Sequence, residues 1–397
     1  MTDLRYVNRG FGLERAVSER LAHDYRSALV DRMRAQGFRV DAGGVSFRLA
    51  REFGFCYGVD RAVEYAYETR EKFPGRRIFL VGEIIHNPGV NRRLEEMGIR
   101  FLDGRENGAS ADGLRPDDVV ILPAFGVPLT DMEDLRRRGV VLVDTTCGSV
   151  RNVWKSVENY ARDGFTALLH GKYDHEETRA TASRVLRHPG GRVIVVRDEE
   201  EARAVCDRIE RRGDPEAFLR RFRRAVSPGF DPEVDLGRIG CANQTTMLSR
   251  ESLAIADMVR AAMVRRWGSE EADRRFRAFD TVCSATQERQ DALVDLLRVS
   301  PLDLMLVIGG YNSSNTTHLV EIARASVPSY HIRSADCLES PERLRHQPPG
   351  SREEAVAEGW LREGPVVVGL TAGASTPNVE IERVVRRVAS FRGVALD

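Results

Sequence analysis

The chain reads as an α/β protein of two or three lobes with mostly parallel sheets, and three observations predict this. Short β-branched or leucine-rich runs end in small polar loops and lead into helix-like segments, the alternation that builds parallel sheets. At 397 residues the chain is long for one core, yet each of two or three lobes would bury enough apolar surface to be stable. Cysteine, histidine, serine, threonine and asparagine gather at the ends of the apolar runs, where open α/β sheets bind their ligands. In chain order, residues 1–45 are highly charged, with one helix expected around Ser18–Gln36, and read as an appended arm. Strand-like runs follow at residues 77–87, 119–126, 140–147, 165–172, 302–310 and 365–373. Residues 199–236, rich in Arg and Glu and closing on Ser-Pro-Gly-Phe-Asp-Pro, read as a helical insertion. For the arm and the insertion alike, the expectation is a solvated surface element with no catalytic part.

Composition removes several function classes. Hydrophobic content of 42% suits a globular protein, and no apolar run approaches the roughly 18 residues that a membrane span needs. The N-terminal residues show neither a secretory stretch nor a transit-peptide composition, so a cytoplasmic location is expected. Formal net charge is zero, which argues against a nucleic-acid partner. Six cysteines at irregular spacing are expected to be free or metal-bound rather than paired.

Three of those cysteines stand where an apolar run meets a turn: Cys56 in Phe-Gly-Phe-Cys-Tyr-Gly-Val, Cys147 in Val-Asp-Thr-Thr-Cys-Gly-Ser and Cys283 in Phe-Asp-Thr-Val-Cys-Ser-Ala-Thr. A thiolate needs backbone donors and a helix start nearby, whereas a structural cysteine belongs inside an apolar run. One such site in each third of the chain points to a shared metal centre. Structural zinc is marked by close Cys-x-x-Cys pairs with histidine partners, and none is present. Single thiolates from separate lobes suit an iron–sulfur cluster with one iron left open. His170, Cys206, Cys241 and Cys337 read as structural.

Two loops are suited to phosphate. Residues 308–319 follow a strand and open a helix, offering backbone N–H groups, Ser313, Ser314 and Asn315 to an anion. Residues 370–377 repeat the arrangement, with Gly373 allowing close approach and Ser375 adding a hydroxyl. Neither carries the Walker lysine or the spaced glycines of a dinucleotide site, so a small phosphorylated ligand is favoured over a nucleotide. His86 and His175 sit just past strands, where an imidazole donates to a diphosphate oxygen. Glu177 suits a proton donor, provided that desolvation raises its pKa; a plain surface carboxylate is the alternative, as for Glu176. Gln244, Thr245 and Thr246 would extend a hydroxyl relay.

These segments, taken together and in order, resemble the IspH/LytB family of 4-hydroxy-3-methylbut-2-enyl diphosphate reductases. Phe-Cys-Tyr-Gly-Val, Glu-Ile-Ile-His-Asn-Pro, Leu-Pro-Ala-Phe-Gly, Asp-Thr-Thr-Cys, His-Gly-Lys-Tyr-Asp-His-Glu-Glu-Thr, Asn-Gln-Thr-Thr-Met, Cys-Ser-Ala-Thr-Gln-Glu-Arg-Gln, Asn-Ser-Ser-Asn-Thr-Thr-His-Leu and Thr-Ala-Gly-Ala-Ser-Thr-Pro carry the likeness, from about residue 5 to 390. The longer branch of cyanobacteria and plastids is the most similar. The resemblance implies three pseudo-repeated αβα lobes in a trefoil-like arrangement: 46–146, 147–282 with the insertion at 199–236, and 283–397. It implies one [4Fe–4S] cluster held by Cys56, Cys147 and Cys283. It implies reductive removal of the substrate hydroxyl as water to give isopentenyl and dimethylallyl diphosphate, the last step of the non-mevalonate pathway, with ferredoxin or flavodoxin as electron donor. Glu177 would deliver protons with Thr245 as relay, while His86, His175, Ser313, Ser314, Asn315 and Ser375 would hold the diphosphate. Two positions depart from the common bacterial pattern. Phe125 stands where many members have a second diphosphate-facing histidine, as in the cyanobacterial branch, and Gly148 stands where a proline commonly follows the second cysteine. Cys/His hydrolysis is the rival enzymatic reading and leaves two cysteines idle. A phosphometabolite-binding iron–sulfur redox module without turnover is the non-enzymatic one.

Overall fold

The computed structural model describes residues 5–102 and 110–396, which leaves the first four residues of the charged arm outside the description. The chain forms two compact units, one of Met1–Asn8 with Asp103–Cys283, the other of Arg9–Leu102 with Ser284–Asp397. Each has the expected α/β make-up with mostly parallel strands.

In the first unit, Tyr6–Val7 pairs in parallel with Val141–Asp144, which pairs in parallel with Val119–Leu122. A second, wholly parallel sheet runs in the order Phe276–Ala278, Ile239–Asn243, Thr166–His170, Val193–Val196. Its apolar strands are covered by helices Gly148–Arg162, Glu199–Ile209 and Ser249–Trp267, which contribute Val153, Val157, Val205, Ile209, Ile255 and Val259 to one core. Gly240 has a packing reason. A Cβ there would lie 2.5 Å from ring atoms of Tyr160, whose hydroxyl donates to the Cys241 carbonyl at 2.9 Å. Residues 199–236 depart from the expectation of a solvated element. Helices Glu199–Ile209 and Pro215–Phe222 bury Ala202, Val205, Cys206, Ile209, Phe218 and Phe222 in the core. Their spacing of three and four puts these residues on one stripe, a pattern masked in the sequence by the dense charge on the opposite face.

The second unit carries a five-stranded sheet in the order Ser329–Ile332, Leu304–Ile308, Val366–Ala372, Val45–Leu49, Arg39–Ala42, parallel except for the last pair. Ile78–Leu80 and Ile99–Phe101 form a parallel pair, and Arg343–His346 and Ala355–Glu358 an antiparallel one. Helix Asn378–Ser390 lays Ile381, Val384, Val385 and Val388 on the sheet, and Leu29, Val30 and Met33 from the arm join the same core. The single helix expected at 18–36 is two, Glu14–Tyr25 and Ala28–Ala35. Ser27 makes the break: its backbone is extended, its hydroxyl caps the second helix by accepting from Val30 N–H at 3.0 Å, and it donates to Glu382 at 2.5 Å.

Candidate functional site

The three singled-out cysteines share one local geometry. Cys56 is the N-cap of helix Tyr57–Lys72, Cys147 is the N-cap of Gly148–Arg162, and Cys283 stands one residue before helix Ser284–Val299. Each donates its backbone N–H to a carbonyl of its own unit: Cys56 to Ala374 at 3.2 Å, Cys147 to Ala124 at 2.8 Å, Cys283 to Thr245 at 3.1 Å. All three are half-buried, while Cys206, Cys241 and Cys337 are buried. Burial pushes the Cys206 thiol up to about 11 and that of Cys241 higher still, which suits packing rather than ligation. A helix start supplies unpaired N–H groups and the positive end of the dipole, the environment in which a thiolate is stable. The donor set therefore fits a thiolate-held iron centre. Gly148 opens its helix in uncrowded space, so its replacement of proline leaves the cap position of Cys147 intact.

The first unit brings Glu177, Thr245, His175 and Cys283 together. His175 caps helix Glu176–Leu186, its Nδ1 accepting from Glu177 N–H at 3.1 Å, which leaves Nε2–H as the donor of the neutral ring. Glu177 is 2% exposed, and Thr245 holds both its carboxylate oxygens, through N–H at 2.6 Å and Oγ1 at 2.9 Å. Because Thr245 also accepts from Cys283 N–H, one residue fixes the carboxylate and the cysteine loop. Gln244 acts differently from the expected relay. Its Oε1 accepts from Lys172 N–H at 3.1 Å and Thr178 Oγ1 at 3.2 Å, and its Nε2 donates to Thr246 Oγ1 at 2.8 Å, pinning two loops together. Phe125 is buried with its ring edge-on to His175, the centroids 6.1 Å apart.

The second unit gathers the residues of the two loops expected to suit phosphate. Strands Leu304–Ile308 and Val366–Ala372 are in parallel register, Ile308 opposite Ala372, so the loops that follow them lie side by side. Ser313 caps helix Ser314–Arg324, and Ser314, Asn315 and Ser375 are buried beside it. Asn315 Oδ1 accepts from Ala374 N–H at 3.0 Å, the residue whose carbonyl receives Cys56. Ser375 Oγ donates to the His86 carbonyl at 3.2 Å, and His86 Nδ1 lies 3.1 Å from Glu83. The glycines are sterically required: a Cβ on Gly373 would sit 2.0 Å from Thr316 Oγ1, and one on Gly310 would sit 2.3 Å from the His86 carbonyl. Arg289 escaped the sequence reading. It is buried, and its guanidinium donates twice to the Gly54 carbonyl, at 2.7 and 3.2 Å, bracing the turn before Cys56. Its only signal was its place in the run that follows Cys283.

The model of the LytB protein family matches residues 47–389. A 4-hydroxy-3-methylbut-2-enyl diphosphate reductase of Thermosynechococcus vestitus is 48% identical over 391 residues, spanning 98% of this chain and 96% of that protein. One of Gloeobacter violaceus is 48% identical over 399 residues, spanning 99% and 94%. Among solved structures, an (E)-4-hydroxy-3-methyl-but-2-enyl diphosphate reductase, the terminal enzyme of the non-mevalonate pathway, aligns at a TM-score of 0.52 and 27% identity, over 87% of this chain and 99% of that one. The E-1-hydroxy-2-methyl-but-2-enyl-4-diphosphate reductase of Plasmodium falciparum shares the fold, with a TM-score of 0.63 at 20% identity over 85% and 86%.

Proposed function

The chain belongs to the LytB family and acts as a reductase of 4-hydroxy-3-methylbut-2-enyl diphosphate, and on that premise we propose that Cys56, Cys147 and Cys283 hold the [4Fe–4S] cluster of the reaction. The observation that carries this is the shared setting of these three cysteines among six: half-buried, at a helix start, each with its N–H tied down. When bound, such a cluster supplies electrons and an iron with an open position to polarise a hydroxyl. The rest of the chemistry falls to side chains of this chain. His86, Ser313, Ser314, Asn315 and Ser375 bind the diphosphate, with His175 donating from Nε2. Overall, two electrons and two protons convert the allylic alcohol to isopentenyl or dimethylallyl diphosphate and water. Glu177 supplies the proton by way of the Thr245 hydroxyl, which donates to the ionised carboxylate at Oε2 and, once that carboxyl is protonated, turns to accept from it and donate onward. Burial of the carboxylate and of Phe125 beside His175 keeps bulk water from competing for that proton.

The electrons come from a small redox protein, ferredoxin or flavodoxin. Among the described residues, no helix is long and apolar enough to cross a membrane. A phosphate-binding redox module without turnover would have no use for the buried Glu177–Thr245 pair, which favours the enzyme. Iron and acid-labile sulfide per chain after anoxic purification test the proposal, with about four of each expected. Reduction of the hydroxylated diphosphate by a chemically reduced donor follows. Protein that stays iron-free after reconstitution, yet turns over, would overturn it.

A further inference from the structure

We infer that Arg184 is a positioning residue for charge, a buried cation behind Trp154 that favours the reduced state of a cluster held by Cys147. The inference rests on the assignment of Cys147 as a ligand. The loop carrying Cys147 is rigid: Asp144, 2% exposed, accepts from the Tyr6 hydroxyl and from Thr146 N–H at 3.0 Å, and Thr145 Oγ1 donates to the Leu122 carbonyl at 2.6 Å. Arg151, one turn into the helix that Cys147 caps, pairs with Asp144 at 2.9 Å, so those two charges offset one another. Among the described residues Arg184 has no such partner. It is 7% exposed, and no acceptor among the described residues reaches its Nε or Nη2. Glu158 and Asp144 act on it only through space. Its guanidinium lies 3.8 Å from the centroid of the Trp154 ring.

Trp154 belongs to the buried group that lies between this cation's helix and the one that Cys147 caps. It forms a small buried cluster with Val150 and Ala180, and Cys147 packs against that cluster. The indole is locked from another side as well, since a Cβ on Gly126 would fall 2.4 Å from its ring. A charge without hydrogen-bonded compensation is costly to bury, and its field is weakly screened by so little solvent. Reduction adds one negative charge to a cluster, and a fixed cation stacked on the indole of the group that Cys147 packs against stabilises that added charge. The helix Glu176–Leu186 carries both Glu177 and Arg184, so one element holds the proton-bearing carboxylate and this cation.

The test compares wild type, Arg184→Met and Arg184→Lys, purified anoxically, with iron and sulfide counted first and the midpoint potential read by titration under electron paramagnetic resonance. Arg184→Met is expected to shift the one-electron equilibrium at least tenfold toward the oxidised state, about 59 mV more negative. Arg184→Lys, which keeps the charge, is expected to stay within threefold. Arg184→Gln, neutral with a polar head, replaces the methionine variant if that one fails to fold. An unchanged potential in the neutral variant at wild-type iron content overturns the inference, as does an equal shift in the lysine variant, which would mark a packing role. An iron-free wild type would overturn the ligand assignment and this inference together, and it is seen before any variant is made.

Discussion

Exchanging Glu177 for glutamine separates folding from chemistry. The amide is isosteric with the carboxylate, so its oxygen still accepts from Thr245 N–H, and its NH₂ donates to Thr245 Oγ1 in place of the bond accepted there at 2.9 Å. Two charge-assisted bonds of about 1.5–3 kcal/mol become neutral ones of about 0.5–1.5, a loss of about 2–3 kcal/mol for the pair. Against this, a carboxylate that is 2% exposed no longer has to be desolvated, a saving of similar size. Net stability is expected to change by no more than about 1–2 kcal/mol. A missing general acid, in contrast, costs about 10²–10⁴-fold in rate, equivalent to about 3–5 kcal/mol. Anoxic turnover of the hydroxylated diphosphate with a reduced dye should therefore show kcat down at least a hundredfold and KM within threefold, at wild-type iron content and nearly unchanged thermal stability. A Glu177→Gln enzyme with kcat within tenfold of wild type would refute the proton-donor role.

Three further outcomes are expected. Gly373→Ala drives a methyl group to 2.0 Å from Thr316 Oγ1, so the loop proposed to hold the diphosphate must shift; KM should rise at least tenfold, and Thr316→Ala in the same chain should recover part of it, while unaltered KM would show that the loop is not used. Gly240→Ala presses on the Tyr160 ring at 2.5 Å and should cost about 1–3 kcal/mol by urea unfolding, with Tyr160→Leu as the relieving partner. His331 is buried with Nε2 at 3.0 Å from the Gly309 carbonyl, and desolvation lowers its pKa to about 4. The unfolded chain, titrating near about 6.5, binds the proton more readily, so stability present above that value is lost as pH falls toward 4, by up to about 3 kcal/mol. Denaturant titrations from pH 7 to 4.5 should show that loss in wild type and a flatter profile in His331→Gln; parallel profiles would contradict it.

The sequence disclosed features whose signal is local. Strand runs, the loops after them and the three cysteines all announce themselves within about ten residues: glycines flank the turn at Cys56, and Thr145, Thr146 and Ser149 surround Cys147 at its helix start. What stayed hidden depends on partners distant in sequence. The break at Ser27 is fixed partly by Glu382, the role of Gln244 by Lys172 and Thr178, and the seat of Arg184 by a tryptophan on another helix. The insertion misled for a different reason: charge dominates its composition, and only the three-and-four spacing of its apolar residues reports the buried face.

The order in which the sheet of the second unit is completed bears on how the protein is made. Its middle strand, Val366–Ala372, lies between Leu304–Ile308 and Val45–Leu49 and is the last to leave the ribosome. The hairpin of Arg39–Ala42 and Val45–Leu49 therefore waits some three hundred residues of synthesis for its parallel neighbour, roughly 15–60 s at ordinary elongation rates. Throughout that interval its inner edge is open to wrong pairing. Cys56, near the beginning, waits as long for the Ala374 carbonyl that receives its N–H. A polypeptide cut short before residue 366 thus has a divided sheet and a Cys56 without the acceptor of its N–H, so under the proposed ligand assignment cofactor loading would distinguish finished molecules from fragments.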